Sequence, residues 1–567
     1  MPKTDTFTVG ADGADFATIA EAIAATQKGA SLVIRPGTYT EDLSILHQLS
    51  ISGEGAAEEI VISGAVQISS GLTTVVGVTF SGVVRLSVGR CSLSQCVLTD
   101  QLIIDGGTPV VEKSEIRGGE VTFTSGGKGR LLGSTLTESS LRLEGTSGPR
   151  VSECTLTKCR VVFAEDTTAT MDGCDISAAR GDSAALFISE RSAPKVKNCR
   201  IHDNPAEGIW IEGEATPTLS DCEVRMSGGV GIAIESGRPT LRRCSVHHNT
   251  GNGISFFGGQ GVLSSCEVAH NVAGGMVFQG ASAPTVKSCH LHDNTGPGAL
   301  VIRGAAPSLE SCRIHDNTEP GVVVRAASPK LTRCRFSGGP SNGIVFCDSA
   351  TGELDSCDFQ NHALPAVAIW GGAAPVLRGC KIHKNRHMGA WIFDGGAGTL
   401  DSCQILSNAR VGVGIRSASP TLSECKIASG ATNGLTIYGD AAPTVTSCEI
   451  ARNAGPSVAI WGSAAPTLKS CHIHSGQSIG LWVRGGSPTV EASIIEHSPV
   501  GLQVDGGTPT VRDSKLQNLP IGARYAADGG GSLDGCTFES CAESLVIADG
   551  ASVTLTNLVG VEAPAQG

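Results

Sequence analysis

Cysteine recurs at a nearly constant interval through the middle of the chain. The members of this series are Cys174, Cys199, Cys222, Cys244, Cys266, Cys289, Cys312, Cys334, Cys357, Cys380, Cys403, Cys425, Cys448 and Cys471. A fixed period of about 20 to 50 residues indicates stacked structural repeats. The 567 residues therefore predict a solenoid of roughly 20 or more coils.

One coil can be read in residues 216–243, TPTLSDCEVRMSGGVGIAIESGRPTLRR. Apolar residues alternate with polar ones over three short stretches, and this period of two is typical of β-strands. Glycine- and proline-rich turns separate the stretches. Three strands per coil that all advance in the same direction predict an all-β parallel β-helix, in which the column cysteines face the core.

Changes in the period suggest five segments. We expect an N-terminal cap at residues 1–45, made of a short helix and a first strand. Coils of about 20 residues follow at 46–173, regular coils in the cysteine register at 174–492, C-terminal coils at 493–558 and a tail at 559–567. The spacing of Thr18 and Glu21 is that of a helical capping box, and a helix there would cover the open core.

Charge and targeting signals narrow the class of protein. The formal net charge of −12 argues against binding nucleic acid, because such proteins carry basic surfaces. The first ten residues lack the pattern of a secretory signal, and no apolar run is long enough for membrane insertion. We therefore expect a cytoplasmic protein whose 21 cysteines are reduced and buried; disulfides are the alternative.

No metal site or cofactor is predicted. The sequence contains no CxxC pair, and the ligand clusters typical of zinc sites are missing. Histidine recurs three positions after the column cysteine, and adjacent histidines of this kind can hold a transition metal when further ligands are present. We interpret the column as exposed histidines beside a turn: His202, His247, His292, His315, His383 and His474.

Two segments resemble known families. Residues 12–45, DGADFATIAEAIAATQKGASLVIRPGTYTEDLSI, resemble the start of pectin methylesterases and other pectin-lyase-like proteins. The coils, such as APTVKSCHLHDNTGPGALVIRGAAPSLESCRIHDN at 283–317, are similar to the right-handed parallel β-helix repeats of carbohydrate-binding and sugar-hydrolase domains and of F-box β-helix proteins. The resemblance implies a single right-handed solenoid. The acidic motifs of those enzymes do not occur here, so no active site is carried over.

One outward column of the third strand mixes aromatic and charged residues. The residues that we expect to bind a ligand or partner are Trp210, Arg303, Arg325, Trp370, Tyr438, Trp461 and Trp482. Asp348, Asp394 and Arg416 are the candidates for catalysis, since two carboxylates two coils apart would lie at about 9–10 Å, near the upper limit for inverting glycosidases.

These observations allow two functions. The first is a non-enzymatic recognition or scaffold protein that binds a protein segment or a glycan along one sheet. The alternative is a polysaccharide-acting enzyme, namely a lyase, hydrolase or epimerase. The lack of family acids and of an export signal favours the first, and the resemblance in fold favours the second. The sequence assigns no oligomeric state.

Overall fold

The structure is a computed structural model that describes residues 5–146 and 148–561. It confirms an all-β, right-handed solenoid of about 25 coils, built from parallel strands. The coils fall into two compact units, Met1–Ala273 (unit 1) and Gly274–Gly567 (unit 2). Their boundary falls within the segment 174–492 that the cysteine spacing treats as uniform. The expected tail at 559–567 lies largely outside the described residues.

A coil of unit 1 shows why the sequence folds this way. Its three strands are Thr218–Ser220, Glu223–Arg225 and Ile232–Ile234. Leu219, Val224, Ile232 and Ile234 are buried, as the period of two predicts. Between the first two strands, Asp221 has φ of 55°, so the chain turns sharply and Cys222 again faces the core.

The equivalent strands of successive coils pair in parallel and form three sheets in each unit, which we call the first, second and third sheets by the order of their strands in a coil. The third sheet of unit 2 contains Gly274–Phe278, Ala299–Ile302, Val322–Arg325, Ile344–Cys347, Val367–Ile369, Ala390–Phe393, Val413–Arg416, Leu435–Tyr438, Val458–Ile460, Ile479–Arg484, Val500–Gly506, Ile521–Tyr525 and Glu543–Ile547. The last strands of the second sheet of unit 1 are Asp175–Ser177, Arg200–His202, Glu223–Arg225, Ser245–His247 and Glu267–Ala269.

A ladder of buried asparagines lies five positions after the column cysteine. In unit 1, Asn249 donates its side-chain amide to Oδ1 of Asn271 at 3.0 Å. In unit 2, Asn385 donates in the same way to Asn408 at 2.9 Å. Each amide therefore ties one coil to the next inside the core, where an unpaired polar group would be destabilising.

The N-terminal helix spans Ile19–Ala25. Thr18 is its N-cap, and its hydroxyl accepts from the backbone N–H of Glu21 at 3.2 Å. Glu41, from the coil beneath, also accepts from the backbone N–H groups of Ile19 and Ala20, both at 2.8 Å. The helix buries Ile19, which confirms the predicted capping helix. A strand that the sequence analysis missed, Thr6–Val9, comes before it and pairs with Ser31–Ile34.

The thiols are packing groups. None of the 21 cysteines, which all belong to the described residues, forms a disulfide, and all are buried except Cys541, which is intermediate. Burial raises the pKa of Cys471 to about 12, so that thiol stays protonated at neutral pH. Within the described residues, no helix is both long and apolar enough to cross a bilayer.

Candidate functional site

Strand register in the third sheet of unit 2 aligns two outward columns. The column at the strand centre contains Ala368, Trp391, Gly414, Thr436, Ala459 and Trp482. The column at the strand end, two residues later, contains Trp370, Phe393, Arg416, Tyr438, Trp461 and Arg484. Since neighbouring strands lie about 4.8 Å apart, each column is a straight row of closely spaced side chains.

The sequence placed Arg303, Asp348 and Asp394 in the strand-end column, and this placement is wrong. Arg325 pairs with Ile302 on one side and with Cys347 on the other. Arg416 pairs with Phe393. Arg303, Asp348 and Asp394 each follow the strand by one residue and have φ of 56°, 54° and 47°. They lie in left-handed turns one residue beyond the column, at 14 rather than 13 positions after the column cysteine of their coil.

Aromatic rings and a guanidinium group pack together in the first half of this surface. The rings of Trp370 and Phe393 stack with centroids 5.3 Å apart, and those of Trp391 and Phe393 are 4.0 Å apart. Cζ of Arg416 lies 5.6 Å from the ring centre of Phe393 and 5.8 Å from that of Trp391. The same guanidinium donates to Oδ1 of Asp394 at 2.8 Å.

The second half continues with the same residue types. Tyr438 and Trp461 have ring centroids 6.3 Å apart, and Trp461 meets Trp482 edge-on at 6.4 Å. Cζ of Arg484 lies 5.1 Å from the ring centre of Trp482. The indole Nε1 of Trp482 donates to Asp505 at 2.6 Å. We call Trp370, Trp391, Phe393, Tyr438, Trp461 and Trp482 the aromatic platform.

Small residues in the central outward column leave room for these rings to pack against the surface of the sheet. Gly414, Thr436 and Ala459 point outward by register and yet are buried, since larger neighbours cover them. A Cβ atom on Gly414 would stand 3.2 Å from Sδ of Met388 and 3.5 Å from Cδ1 of Trp391. The aromatic platform is therefore a fitted layer of partly exposed rings, rather than side chains projecting separately into solvent.

Two indole N–H groups in the platform have no hydrogen-bond partner among the described residues. They are Nε1 of Trp391 and Nε1 of Trp461, and both atoms are closed off from solvent. A buried donor without a partner costs about 1–3 kcal/mol, and such groups in folded proteins call for an explanation. A ligand rich in hydroxyl groups could supply the missing acceptors after a small movement of the rings.

The other predicted binding residues lie apart from the platform. Trp210 belongs to unit 1, where its Nε1 donates to Glu212 at 3.0 Å and its ring stacks on Phe257 at 6.1 Å. Arg325 is in the same column as Trp370 but two coils earlier, with Cys347 between them. Arg303 lies in a turn. The structure thus brings together Trp370, Tyr438, Trp461, Trp482 and Arg416.

Sequence reasoning missed Trp391 and Phe393. A constant offset from the column cysteine could have found both. Trp391 occupies the same position after Cys380 that Trp482 occupies after Cys471. Phe393 likewise follows Cys380 at the offset that places Trp370, Arg416 and the rest of the strand-end column after their own cysteines.

The candidate carboxylates do not form a catalytic pair in this surface. Asp394 is engaged by Arg416, and Asp348 lies at a left-handed turn two coils earlier. What the surface offers is ring faces, two unpartnered N–H donors and two guanidinium groups. These groups suit binding of an extended ligand with apolar faces and hydroxyl groups.

Several solved structures are similar to this chain at low identity. A mutant of the periplasmic alginate epimerase AlgG is similar over 49% of this chain and 74% of that one, with 11% identity and a TM-score of 0.36. Pectate lyase Pel9A is similar over 75% and 78%, with 12% identity and a TM-score of 0.26. The PL6 family alginate lyase AlyGC is similar over 95% and 98%, with 10% identity and a TM-score of 0.26.

A search of curated protein sequences finds no match. The sequence pattern of one family, described as the right handed beta helix region, matches in five overlapping stretches: residues 65–239, 137–284, 207–352, 320–466 and 456–559. Together these stretches cover most of the chain, and they include the whole aromatic platform. The chain therefore belongs to the right-handed β-helix family.

Proposed function

We propose that this protein binds a polysaccharide along the aromatic platform of unit 2. The observation that carries the proposal is the fitted row of rings on one sheet face, running from Trp370 to Trp482 over six coils. Five steps of about 4.8 Å make a binding track about 24 Å long. This length suits a linear chain better than a compact metabolite, which needs a concave pocket.

The chemistry of the platform favours a glycan over a protein segment. A sugar ring has an apolar face that can lie on an indole, and its hydroxyl groups can accept from an indole N–H. Trp391 and Trp461 offer the first feature directly, since each has a half-exposed ring. Their unpartnered Nε1 atoms are closed off from solvent, so a hydroxyl group reaches them only when the rings shift. An extended peptide typically binds by pairing with the free backbone groups of an edge strand. The strands beneath the platform are already paired on both sides.

The proposal can be tested with a double variant, Trp391→Ala with Trp461→Ala. Binding would be measured by calorimetry against a panel of neutral and uronate polysaccharides. Truncation of a hot-spot aromatic costs about 2 kcal/mol or more, so the two truncations together should cost about 4 kcal/mol and weaken binding about 700-fold. The melting temperature reports whether the fold is intact.

Trp210→Ala is the matched control, because Trp210 is also an outward tryptophan at a strand centre but lies in unit 1. It should leave polysaccharide binding unchanged. Equal binding by the wild type and the folded double variant would overturn the proposal. Equal loss in the double variant and in Trp210→Ala would contradict the assignment to unit 2.

A polysaccharide-acting enzyme is the second candidate function. The observation in its favour is the ion pair between Asp394 and Arg416, which places a carboxylate and a guanidinium beside the ring of Phe393. The same panel would be examined for new reducing ends, for unsaturated uronate absorbance and for epimerised residues. Turnover that Asp394→Asn abolishes without weakening binding would favour the enzyme; binding without turnover would favour recognition.

A further inference from the structure

Two adjacent histidines in unit 1 turn their ring nitrogens toward each other. His247 ends the strand Ser245–His247, and His248 follows with φ of 57°. This left-handed conformation brings the second ring back beside the first. Nδ1 of His247 and Nδ1 of His248 are 2.8 Å apart, and the rings are nearly perpendicular, at 83°.

A carboxylate on the preceding coil orients the ring of His247. Nε2 of His247 lies 3.1 Å from Oε1 of Glu223, so Nε2 carries a hydrogen and donates it. The other ring nitrogen, Nδ1, faces His248. A carboxylate that accepts from the far nitrogen of an imidazole is the usual outer partner of a metal-bound histidine.

The charged side chains beside the pair partly cancel each other. Arg225 is paired with Glu223, at 3.3 Å, which offsets part of the guanidinium charge that an incoming cation would meet.

The surface beside His248 is open to an ion and its water ligands. A surface depression of about 590 Å³ is lined by His248, Met226 and Asp203, among others. The sulfur of Met226 lies 3.2 Å from Nη1 of Arg225, and Asp203 is held by His202, so water would complete the coordination of the ion.

We propose that His247 and His248 bind one divalent transition-metal ion through their two Nδ1 atoms, with Glu223 orienting His247 from behind. Two imidazole nitrogens suit Ni²⁺, Zn²⁺ and ions of similar softness, and water would fill the remaining positions. The separation of 2.8 Å is close to that of two neighbouring ligands on one ion with bonds of about 2.1 Å. This site is independent of polysaccharide binding.

Other histidines in the column do not have this arrangement. Both ring nitrogens of His202 face carboxylates, Asp175 at 2.8 Å and Asp203 at 2.5 Å. His383 lies 3.4 Å from Asp358 but is followed by Lys384 instead of a second histidine. His383 therefore has the acidic partner without the paired ring, which makes it a matched control.

The test is titration of the full chain with Ni²⁺ by calorimetry and equilibrium dialysis. The wild type should bind one more ion per chain than the double variant His247→Gln with His248→Gln. Glu223→Gln should keep that ion but bind it about 10–100-fold more weakly, and His383→Gln should match the wild type. The fold of each variant is checked by its melting temperature.

Co²⁺ distinguishes the imidazole pair from the buried thiols, because thiolate ligands produce an intense near-ultraviolet band that imidazoles do not. We expect no such band for the ion that the double variant loses. Unchanged Ni²⁺ stoichiometry in the double variant would overturn the proposal. In that case the contact between the two Nδ1 atoms is only a hydrogen bond from Nδ1–H of His248 to His247.

Discussion

The third sheets of the two units share an interior and differ on the outside. At the inward position near the strand end, unit 1 carries Ile211, Ile234 and Phe256, and unit 2 carries residues of the same kind, such as Ile392 and Ile415; all are buried. The following outward position contains Glu212, Glu235 and Phe257 in unit 1. In unit 2 the same position supplies most of the aromatic platform.

This difference separates what makes the fold from what makes the surface. Inward side chains contact the coils above and below, so their size and polarity are constrained by close packing. Outward side chains of a solenoid form columns whose chemistry can change without affecting the core. We therefore expect substitutions in the outward columns to change ligand binding. Substitutions at inward positions should change stability, by similar amounts in both units.

The largest expected effect is on the asparagine ladder. Asn408→Ala removes the acceptor of two donors, the backbone N–H and the side-chain Nδ2 of Asn385. Asn249→Ala likewise leaves the backbone N–H of Ser227 without its acceptor. Buried unpaired groups cost about 1–3 kcal/mol each, so each variant should lose about 3 kcal/mol of unfolding free energy. The measurement is denaturant unfolding.

Gln404→Ala is the control for the ladder, because Gln404 is an exposed residue of the same coil as Asn408. It should change stability by less than about 0.5 kcal/mol. If one variant lost much unfolding free energy and the other lost almost none, the interiors of the two units would not be equivalent.

The second effect depends on pH and concerns His362, which occupies an asparagine position of the ladder in unit 2. The ring is 2% exposed, and neither ring nitrogen has a partner among the described residues. Burial lowers its pKa to about 4, against opposing effects of the carbonyls of Phe336 and Gly338 and of Asp316.

His362 therefore takes up a proton near pH 6.5 in the unfolded chain, but only near pH 4 in the folded chain. Stability should fall between these values as pH decreases, by about 3 kcal/mol at about 1.4 kcal/mol per pH unit. His362→Asn should remove this contribution and restore the ladder. Unfolding curves at about pH 7 and about pH 4.5 measure it, and an equal pH dependence in both proteins would refute it.

The smallest effect on stability is expected on the outward column. Arg416→Gln removes an ion pair with Asp394 whose side chains are 39% and 55% exposed, and exposed pairs contribute about 0–1 kcal/mol. The melting temperature should barely change, whereas polysaccharide affinity should fall several-fold because the guanidinium contacts Trp391 and Phe393. A loss of stability without a loss of affinity would reverse the comparison.

Much of the fold could be predicted because it repeats. The cysteine period, the alternation around Cys222 and the capping spacing at Thr18 each specify local geometry that one sequence displays many times. The platform was predictable only in part, since it depends on counting one residue correctly in each coil. Asp348 and Asp394 were misplaced by one residue, since they stand 14 positions after Cys334 and Cys380 and the column stands 13 positions after its cysteines. Sequence alternation alone does not show at which residue the strand ends.

The hydrogen bond between Nδ1 atoms and the covering of Gly414 could not be read from the sequence at all. Both depend on side-chain rotamers that neighbouring coils select. His247 and His248 differ from other column positions only by adjacency, and Gly414 is one glycine among 74. Three-dimensional contacts are what distinguish these residues from their equivalents.

Because the coils have a constant pitch, the aromatic platform has evenly spaced binding positions and a defined length. Each coil adds one step of about 4.8 Å, so a longer oligosaccharide should gain affinity in increments until it spans the track from Trp370 to Trp482. Beyond about 24 Å, which is five such steps, further length should add no contact. Inserting or deleting one whole coil in this segment would shift that limit by a single step.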